Sequence, residues 1–305
     1  MKTVILTPDA LSAAIDSLKK GEPVAFPTET VYGLAASAFD EGAIRKIFSI
    51  KGRPADNPLI VHISSLDQVS LLAEEVPPEF LKLARAFWPG PLTLVVKRKN
   101  SVPSICSAGL PTIAIRMPVH QVALDLIRGV GAPLAAPSAN LSGGPSPTTA
   151  QDVLEDLEGK IPYILDGGAC AIGLESTVLS LVNPRPILLR PGVVQKEALE
   201  AIFGRSIDLA NQATPAFSPG MKYRHYAPKA AIRLVFNESD LKGPYSLPRI
   251  TARNLYSELR KADRLGVPEV EIYCSSSVQA DAALMNRLLR ASGVLETTAA
   301  SKRAC

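Results

Sequence analysis

None of the 305 residues lies in an apolar run of the roughly 18 positions that a membrane-crossing helix needs, because charge or proline interrupts each one. The opening MKTVILTPDALSAAI carries no basic segment ahead of an apolar one, so no cleaved secretory leader and no membrane association are expected. Cysteine is sparse: residues 106, 170, 274 and 305 form no CxxC pair, which argues against a disulfide framework or a zinc cluster and for a reducing cytoplasm. Only three histidines occur, His62, His120 and His225, and with no HExxH or GxSxG beside them neither catalytic zinc nor a hydrolase triad is indicated. The phosphate-cradling patterns GxGxxG and GxxxxGK[ST] are missing as well. Aromatics supply only 5% of the chain and no extended run interleaves them with arginine, so no base-stacking platform for RNA is evident.

What is present is an ordinary globular composition, 47% apolar and 20% charged, long enough for one large or two modest domains. The charge is uneven. Residues 1–208 hold 19 basic and 21 acidic side chains and residues 209–305 hold 14 and 8, so the net +4 divides into −2 and +6. A basic tail can contact RNA, and it can equally be a solvated surface.

Apolar patterning alternates between strand-like and helical for about 200 residues. Val4 to Leu18 reads as a helix leading into a strand at Pro23–Pro27. Strands are expected at Leu59–Ile63, Leu92–Val96, Thr112–Arg116, Tyr163–Asp166, Thr177–Val182 and Ile187–Arg190. Helices are expected at Gly42–Ile50, Glu79–Phe87, Val119–Arg128 and Thr149–Leu157. This is a mixed α/β domain over residues 1–208. Residues 209–229 are rich in proline and glycine without apolar period and read as a linker. Residues 230–305 form a smaller α/β unit, thin for an independent core and expected to lean on its neighbour.

Three polar clusters interrupt the apolar pattern, each where a strand is expected to stop, and open α/β sheets bind ligands there. Lys51-Gly52-Arg53-Pro54-Ala55-Asp56-Asn57-Pro58 sets two cations one glycine apart on a proline-stiffened turn, able to face one anion. A solvated helix C-terminus accounts for the same pair. Ala136-Pro137-Ser138-Ala139-Asn140 ends an apolar segment with small hydroxyl and amide groups, as an anion loop or as a helix cap. Thr28-Glu29-Thr30 lies between the apolar flanks of FPTETVYGL and by itself signals a turn.

Taken together, FPTETVYGL, KGRPADNPLIVHI and APSAN resemble the YrdC-like family of L-threonylcarbamoyl-AMP synthases. HYAP around Tyr226 and the C-terminal ARNLYSELR and NRLLRAS resemble its long, two-domain form. The resemblance implies a twisted mixed sheet with surrounding helices and a concave cationic cavity, followed by a C-terminal Rossmann-like unit that is short between Phe236 and Arg249. It further implies condensation of L-threonine, bicarbonate or CO2, and ATP to threonylcarbamoyl-AMP and pyrophosphate, with Mg2+ accompanying ATP and no metal held by the protein itself. A downstream transferase complex would then modify tRNA, with any contact between this chain and tRNA indirect.

Carried over by position, Lys51, Arg53, Asn57, Thr112, Ser138, Asn140, Ser146, Arg190 and Tyr226 match ATP-contacting residues, and Lys51 and Arg53 match the catalytic pair. Thr30, His62, Arg116, Ala136 and Ser176 match threonine-contacting residues, and Tyr226 would make the linker a lid. Two rivals remain: a non-enzymatic RNA-binding module, and an ATP-using carbamoyltransferase relative, which would bring zinc-finger cysteines that this sequence does not have.

Overall fold

A computed structural model describes residues 2–211, residue 214 and residues 225–293. Strands β1 (Val4–Leu6), β2 (Val24–Phe26), β3 (Gly33–Ser37), β4 (Ile60–His62), β5 (Leu92–Lys97), β6 (Thr112–Arg116), β7 (Leu134–Ala136), β8 (Tyr163–Leu165), β9 (Thr177–Ser180), β10 (Ile187–Arg190) and β11 (Asp208–Leu209) form one twisted mixed sheet in the order β1-β8-β2-β3-β7-β4-β6-β5-β9-β10-β11. Interleaved with them are α1 (Leu11–Lys19), α2 (Glu41–Lys51), α3 (Val69–Leu72), α4 (Pro78–Phe87), α5 (Gln121–Val130), α6 (Ala150–Leu157) and α7 (Lys196–Phe203). The segment expected to open as a helix begins instead with β1, because Val4-Ile5-Leu6 pairs in parallel with Tyr163-Ile164-Leu165 far along the chain. The helix α7 follows with no matching expectation.

Alternation along the strands divides the sheet into two faces. Ala25, Leu34, Val61, Leu94, Ile115, Ala135 and Leu179 point to one face and pack with α2, α4, α6 and α7. On the other, Val24, Phe26, Ala35, Leu134 and Ala136 pack under α1 and α5. Those two helices cover only one end of that face. Ile60, Val95, Ala114, Val178 and Leu189 continue it with a small cluster of their own, and the functional cavity lies there.

The C-terminal unit has three parallel strands, β12 (Ala231–Val235), β13 (Ser246–Leu247) and β14 (Glu269–Tyr273), in the order β12-β14-β13. Helices α8 (Leu255–Leu265), α9 (Ser276–Ala280) and α10 (Ala282–Ala291) complete it. Leu255, Leu259, Val270, Ile272, Leu284 and Leu288 form its core. Tyr256, Arg260 and Arg264, spaced by four, line one side of α8 and turn to the large domain. Arg260 Nη2 donates to Asp156 Oδ2 at 2.8 Å and to the Pro145 carbonyl at 2.7 Å, and Arg264 Nη1 lies 3.2 Å from Glu155 Oε2.

Contact between the two units is close enough to dictate residue type. Gly173 has φ +83°, and a Cβ there would sit 2.7 Å from the Ala252 carbonyl oxygen. Gly109 has φ +77° with open space around it. Both should therefore lose about 1–3 kcal/mol of backbone energy when changed to alanine, and only Gly173→Ala adds a collision with the C-terminal unit. Thermal unfolding of the two variants should show the larger fall for Gly173→Ala; equal falls would mean that the contact is loose.

Candidate active site

The cavity opens to solvent and measures about 560 Å³ with its open mouth included, with Thr28, Thr30, Arg53, His62, Arg116, Ala136, Ser138, Glu175, Ser176, Arg190 and Tyr226 among its walls. Its floor is a sheet face, not only the strand ends that the sequence suggested. Parallel register sets His62 beside Arg116 and Ile60 beside Ala114, and antiparallel pairing sets Ala136 beside Ile60, so all point the same way. Arg190 reaches the cavity through an irregularity: the pairing of β10 with β9 shifts register between Leu188 and Arg190, which re-aims the side chain.

One corner is built around Arg116, 3% exposed. Its Nη1 donates to Thr30 Oγ1 at 2.9 Å and its Nε to the Gly90 carbonyl at 3.3 Å. Nη2 approaches Glu29 Oε1 to 2.6 Å as an ion pair, off the line of a hydrogen bond. Thr30 is itself fixed by a 2.8 Å bond between its hydroxyl and that of Thr28, whose hydroxyl donates to the Val31 carbonyl. His62 packs edge-on against Phe26, ring centroids 5.6 Å apart. Burial, and then the positive charge of Arg116, push its pKa down to about 3, so the imidazole is neutral. Its Nδ1 has no hydrogen-bond partner among the described residues.

The opposite side carries the KGRP and APSAN segments. Asp40 caps the start of α2 by accepting from the Ala43 amide, and Gly52, in the left-handed region at φ 60°, ends it. That turn sends Lys51 and Arg53 in different directions. Lys51 runs beneath the APSAN loop, and its Nζ donates to the Ser138 carbonyl at 2.7 Å and to the Asn140 carbonyl. Burial first, and Arg53 second, hold this ammonium well below the usual lysine range. Arg53 faces the cavity while its Nε and Nη2 donate to the Asn57 and Pro58 carbonyls at 3.3 and 3.0 Å. Burial lowers its pKa to about 10, leaving it charged at neutral pH. Ser138 donates to Asn140 Oδ1, and Asn140 Nδ2 holds the Gly144 carbonyl at 2.9 Å, closing the loop.

A third wall joins the two units. Glu175 accepts from Ser146 Oγ at 2.5 Å, from Tyr256 of α8 at 2.9 Å and from Arg287 Nε of α10 at 2.8 Å. Burial alone would raise its pKa, but Arg287 and Arg190 outweigh that and keep it lowered and ionised. Next in sequence, Ser176 offers its carbonyl and hydroxyl to Arg190 Nε and Nη2 at 3.1 and 3.2 Å.

Of the fourteen site residues expected from the sequence, Thr30, Arg53, His62, Arg116, Ala136, Ser138, Ser176, Arg190 and Tyr226 line this cavity. Lys51, Asn140 and Ser146 stand behind its wall as supports, and Asn57 Nδ2 lies 3.5 Å from His225 Nε2. Thr112 is buried at the far end of β6 from Arg116 and is not among the lining residues. Tyr226 has φ 67° and stacks on Tyr256 with centroids 5.7 Å apart. Most of the expected lid, residues 212–213 and 215–224, lies outside the described residues. Glu29 was visible only as part of a turn and Arg287 only as part of NRLLRAS, and neither Glu175 nor Arg287 was assigned to the site, since no local pattern marks a pair 112 residues apart.

The buried neutral histidine has a consequence for stability. The folded protein leaves His62 unprotonated down to about pH 3, whereas the unfolded chain takes up that proton near pH 6.5. The unfolded state thus binds more protons across this window, and stability falls as pH drops from about 6.5 toward 3. Between pH 7 and pH 5 the loss should be about 2 kcal/mol for this ring. Urea unfolding at both values should show that much less pH dependence in His62→Gln than in the parent. An unchanged difference would mean that His62 titrates in the fold as it does in the unfolded chain.

Comparison with known proteins identifies the family to which the chain belongs. Residues 16–192 match the Sua5/YciO/YrdC family model, described as telomere recombination, and residues 194–245 and 242–293 match the model for the threonylcarbamoyl-AMP synthase C-terminal domain. The threonylcarbamoyl-AMP synthase of Pyrococcus abyssi is 45% identical over 90% of this chain and 92% of its own, and that of Bacillus subtilis is 42% identical over 93% of each. The crystal structure of P. abyssi Sua5 complexed with L-threonine superposes with a TM-score of 0.89 at 41% identity, covering 96% of this chain and 98% of that one. The chain accordingly belongs to the Sua5/YciO/YrdC family, in the long form that carries the threonylcarbamoyl-AMP synthase C-terminal domain.

Proposed function

We propose that this enzyme condenses L-threonine, bicarbonate or CO2, and ATP to threonylcarbamoyl-AMP and pyrophosphate. The observation that carries the reading is the meeting, in one cavity, of the Arg116, Thr30 and His62 corner with the Arg53, Ser138, Arg190 and Tyr226 wall. Two anionic reactants have to be joined, and cations already fixed in place do that better than an acid–base pair.

The chemistry begins with threonine, whose amine, once it has released a proton, attacks the carbon of CO2 to form the N–C bond of a carbamate. CO2 arises from bicarbonate by loss of hydroxide, which takes up that proton as water, and the nitrogen, positively charged once bonded to CO2, releases a second proton to solvent to leave the carbamate. A carbamate oxygen then attacks the α-phosphorus of ATP, the bond from that phosphorus to the bridging oxygen breaks, and pyrophosphate leaves. Arg116 takes the substrate carboxylate, its plane already fixed by Glu29 and Thr30, so little order is lost on binding. Arg53 and Arg190, with Lys51 adding charge from beneath the loop, offset the negative charge that builds on the phosphates. His62, being neutral, offers a ring nitrogen and no competing charge beside Arg116. Mg2+ accompanying ATP would be held mainly by phosphate oxygens and water and would supply positive charge there, since Glu175, the carboxylate in the wall, already has both oxygens engaged.

The product is a mixed anhydride of carbamate and phosphate, prone to hydrolysis, and the stacked Tyr226 helps keep water from it. A partner transferase system in the cytoplasm would accept the threonylcarbamoyl group and place it on tRNA, with this chain's own contact to tRNA indirect.

Radiolabelled bicarbonate should appear in an AMP ester only when threonine and ATP are both supplied. Arg116→Ala should raise KM for threonine far more than KM for ATP, by the roughly 30- to 4000-fold that a lost buried charge pair of about 2–5 kcal/mol implies. Equal losses for both substrates would contradict that assignment. Lys51→Ala and Arg53→Ala should each suppress the ester, and Arg53→Lys should restore only part, because a point charge cannot hold the Asn57 and Pro58 carbonyls as a planar fork does. Full activity in the double variant Lys51→Ala/Arg53→Ala would eliminate the cationic clamp.

A further inference from the structure

Two segments of the C-terminal unit, ARNLYSELR and NRLLRAS, have no part in the chemistry above, yet each sends a buried side chain to the cavity wall. We propose that Arg287 of α10 is a positioning residue through which the C-terminal unit sets the geometry of the nucleotide side of the cavity; the inference rests on the ATP-dependent reading just given.

Arg287 is completely buried. Its Nε donates to Glu175 Oε2 at 2.8 Å and its Nη2 to the Glu175 carbonyl at 3.3 Å, while Nη1 donates to the Pro191 carbonyl at 2.9 Å and to Asn286 Oδ1 at 3.0 Å. The guanidinium carbon lies 5.4 Å from the centre of the Tyr226 ring. These partners adjoin the site in the chain: Glu175 precedes Ser176, Pro191 follows Arg190, and Tyr226 is itself in the wall. Arg190 in turn grips the carbonyl and hydroxyl of Ser176. One side chain from the C-terminal unit thus ties together the three segments that carry Ser176, Arg190 and Tyr226.

Arginine suits this task for a geometric reason. Its planar fork presents five N–H donors in fixed directions, enough for a carboxylate and two backbone carbonyls at once, and a lysine ammonium cannot reach them together. Cohesion alone does not account for the choice, since a buried ion pair is often no more stabilising than apolar residues of the same volume. Arg260 and Arg264 already dock the same unit on α6. What Arg287 adds is contact with wall segments, where a displacement near 1 Å can cost about a hundredfold in rate.

The test uses the full-length chain and calorimetric titration with ATP and with L-threonine, beside thermal unfolding. Arg287→Met should raise the Kd for ATP at least tenfold and that for threonine less than threefold, and Arg287→Lys should fall between parent and Met. Leu284→Ala, which hollows the core beneath the same helix at a residue that does not line the cavity, should lower Tm and leave the ATP Kd within twofold. Glu175→Gln/Arg287→Met removes the unpaired carboxylate left by the single change, so its Tm should recover while its ATP Kd stays raised. An ATP Kd in Arg287→Met equal to the parent's overturns the proposal. So does an equal rise in Leu284→Ala, or full recovery of ATP affinity in the double variant. Should the parent itself bind no ATP, the functional reading fails and this inference with it; should the parent bind and Arg287→Met bind equally, the inference alone fails.

Discussion

Buried positive charge is the constraint around which this molecule is arranged. Lys51, Arg53, Arg116, Arg190, Arg260 and Arg287 are each at most 8% exposed, and taking such groups from water costs several kcal/mol apiece unless their donors are met. Glu29, Asp156 and Glu175 meet Arg116, Arg260 and Arg287. Backbone carbonyls of two loops meet Lys51 and Arg53, so the loops take their shape from the cations as much as the cations from the loops. A cavity whose charges are already placed needs little reorganisation when negative charge develops inside it.

Docking of the C-terminal unit obeys the same rule. The sequence places a surplus of six positive charges after residue 208 and a deficit of two before it. In the fold, Arg260 and Arg264 lie against Asp156 and Glu155 of α6, and Arg287 against Glu175. Part of the basic surplus is therefore spent within the chain, which weakens the case for an RNA-binding tail. It also explains how a three-stranded unit with a small core keeps its place, since its stability is shared with the large domain.

Much of this was legible in the sequence where the determinant is local. Thr112–Arg116 and Ile187–Arg190 stand in the structure as expected, because apolar residues between turn signals leave few alternatives. Lys51-Gly52-Arg53 was legible as a helix end carrying two cations, and it is one, but both cations are buried, so the solvated reading does not hold, and only Arg53 of the two lines the cavity. Less visible was anything set by pairing across the chain. β1 is a strand only because Tyr163–Leu165 lies beside it. The location of the cavity depends on which half of a sheet face α1 and α5 leave uncovered. Glu175 stands in no motif, and NRLLRAS, which contains Arg287, gave that residue no role, because each matters only through the other.

The central claim is that the cavity joins a carbamate directly to the α-phosphorus, which requires threonine and bicarbonate to have combined before pyrophosphate departs. Exchange of labelled pyrophosphate into ATP tests this most directly. The account predicts exchange only when threonine and bicarbonate are both present, and loss of exchange when either is withheld. Exchange at full rate with ATP alone, or with ATP and bicarbonate but no threonine, would contradict it.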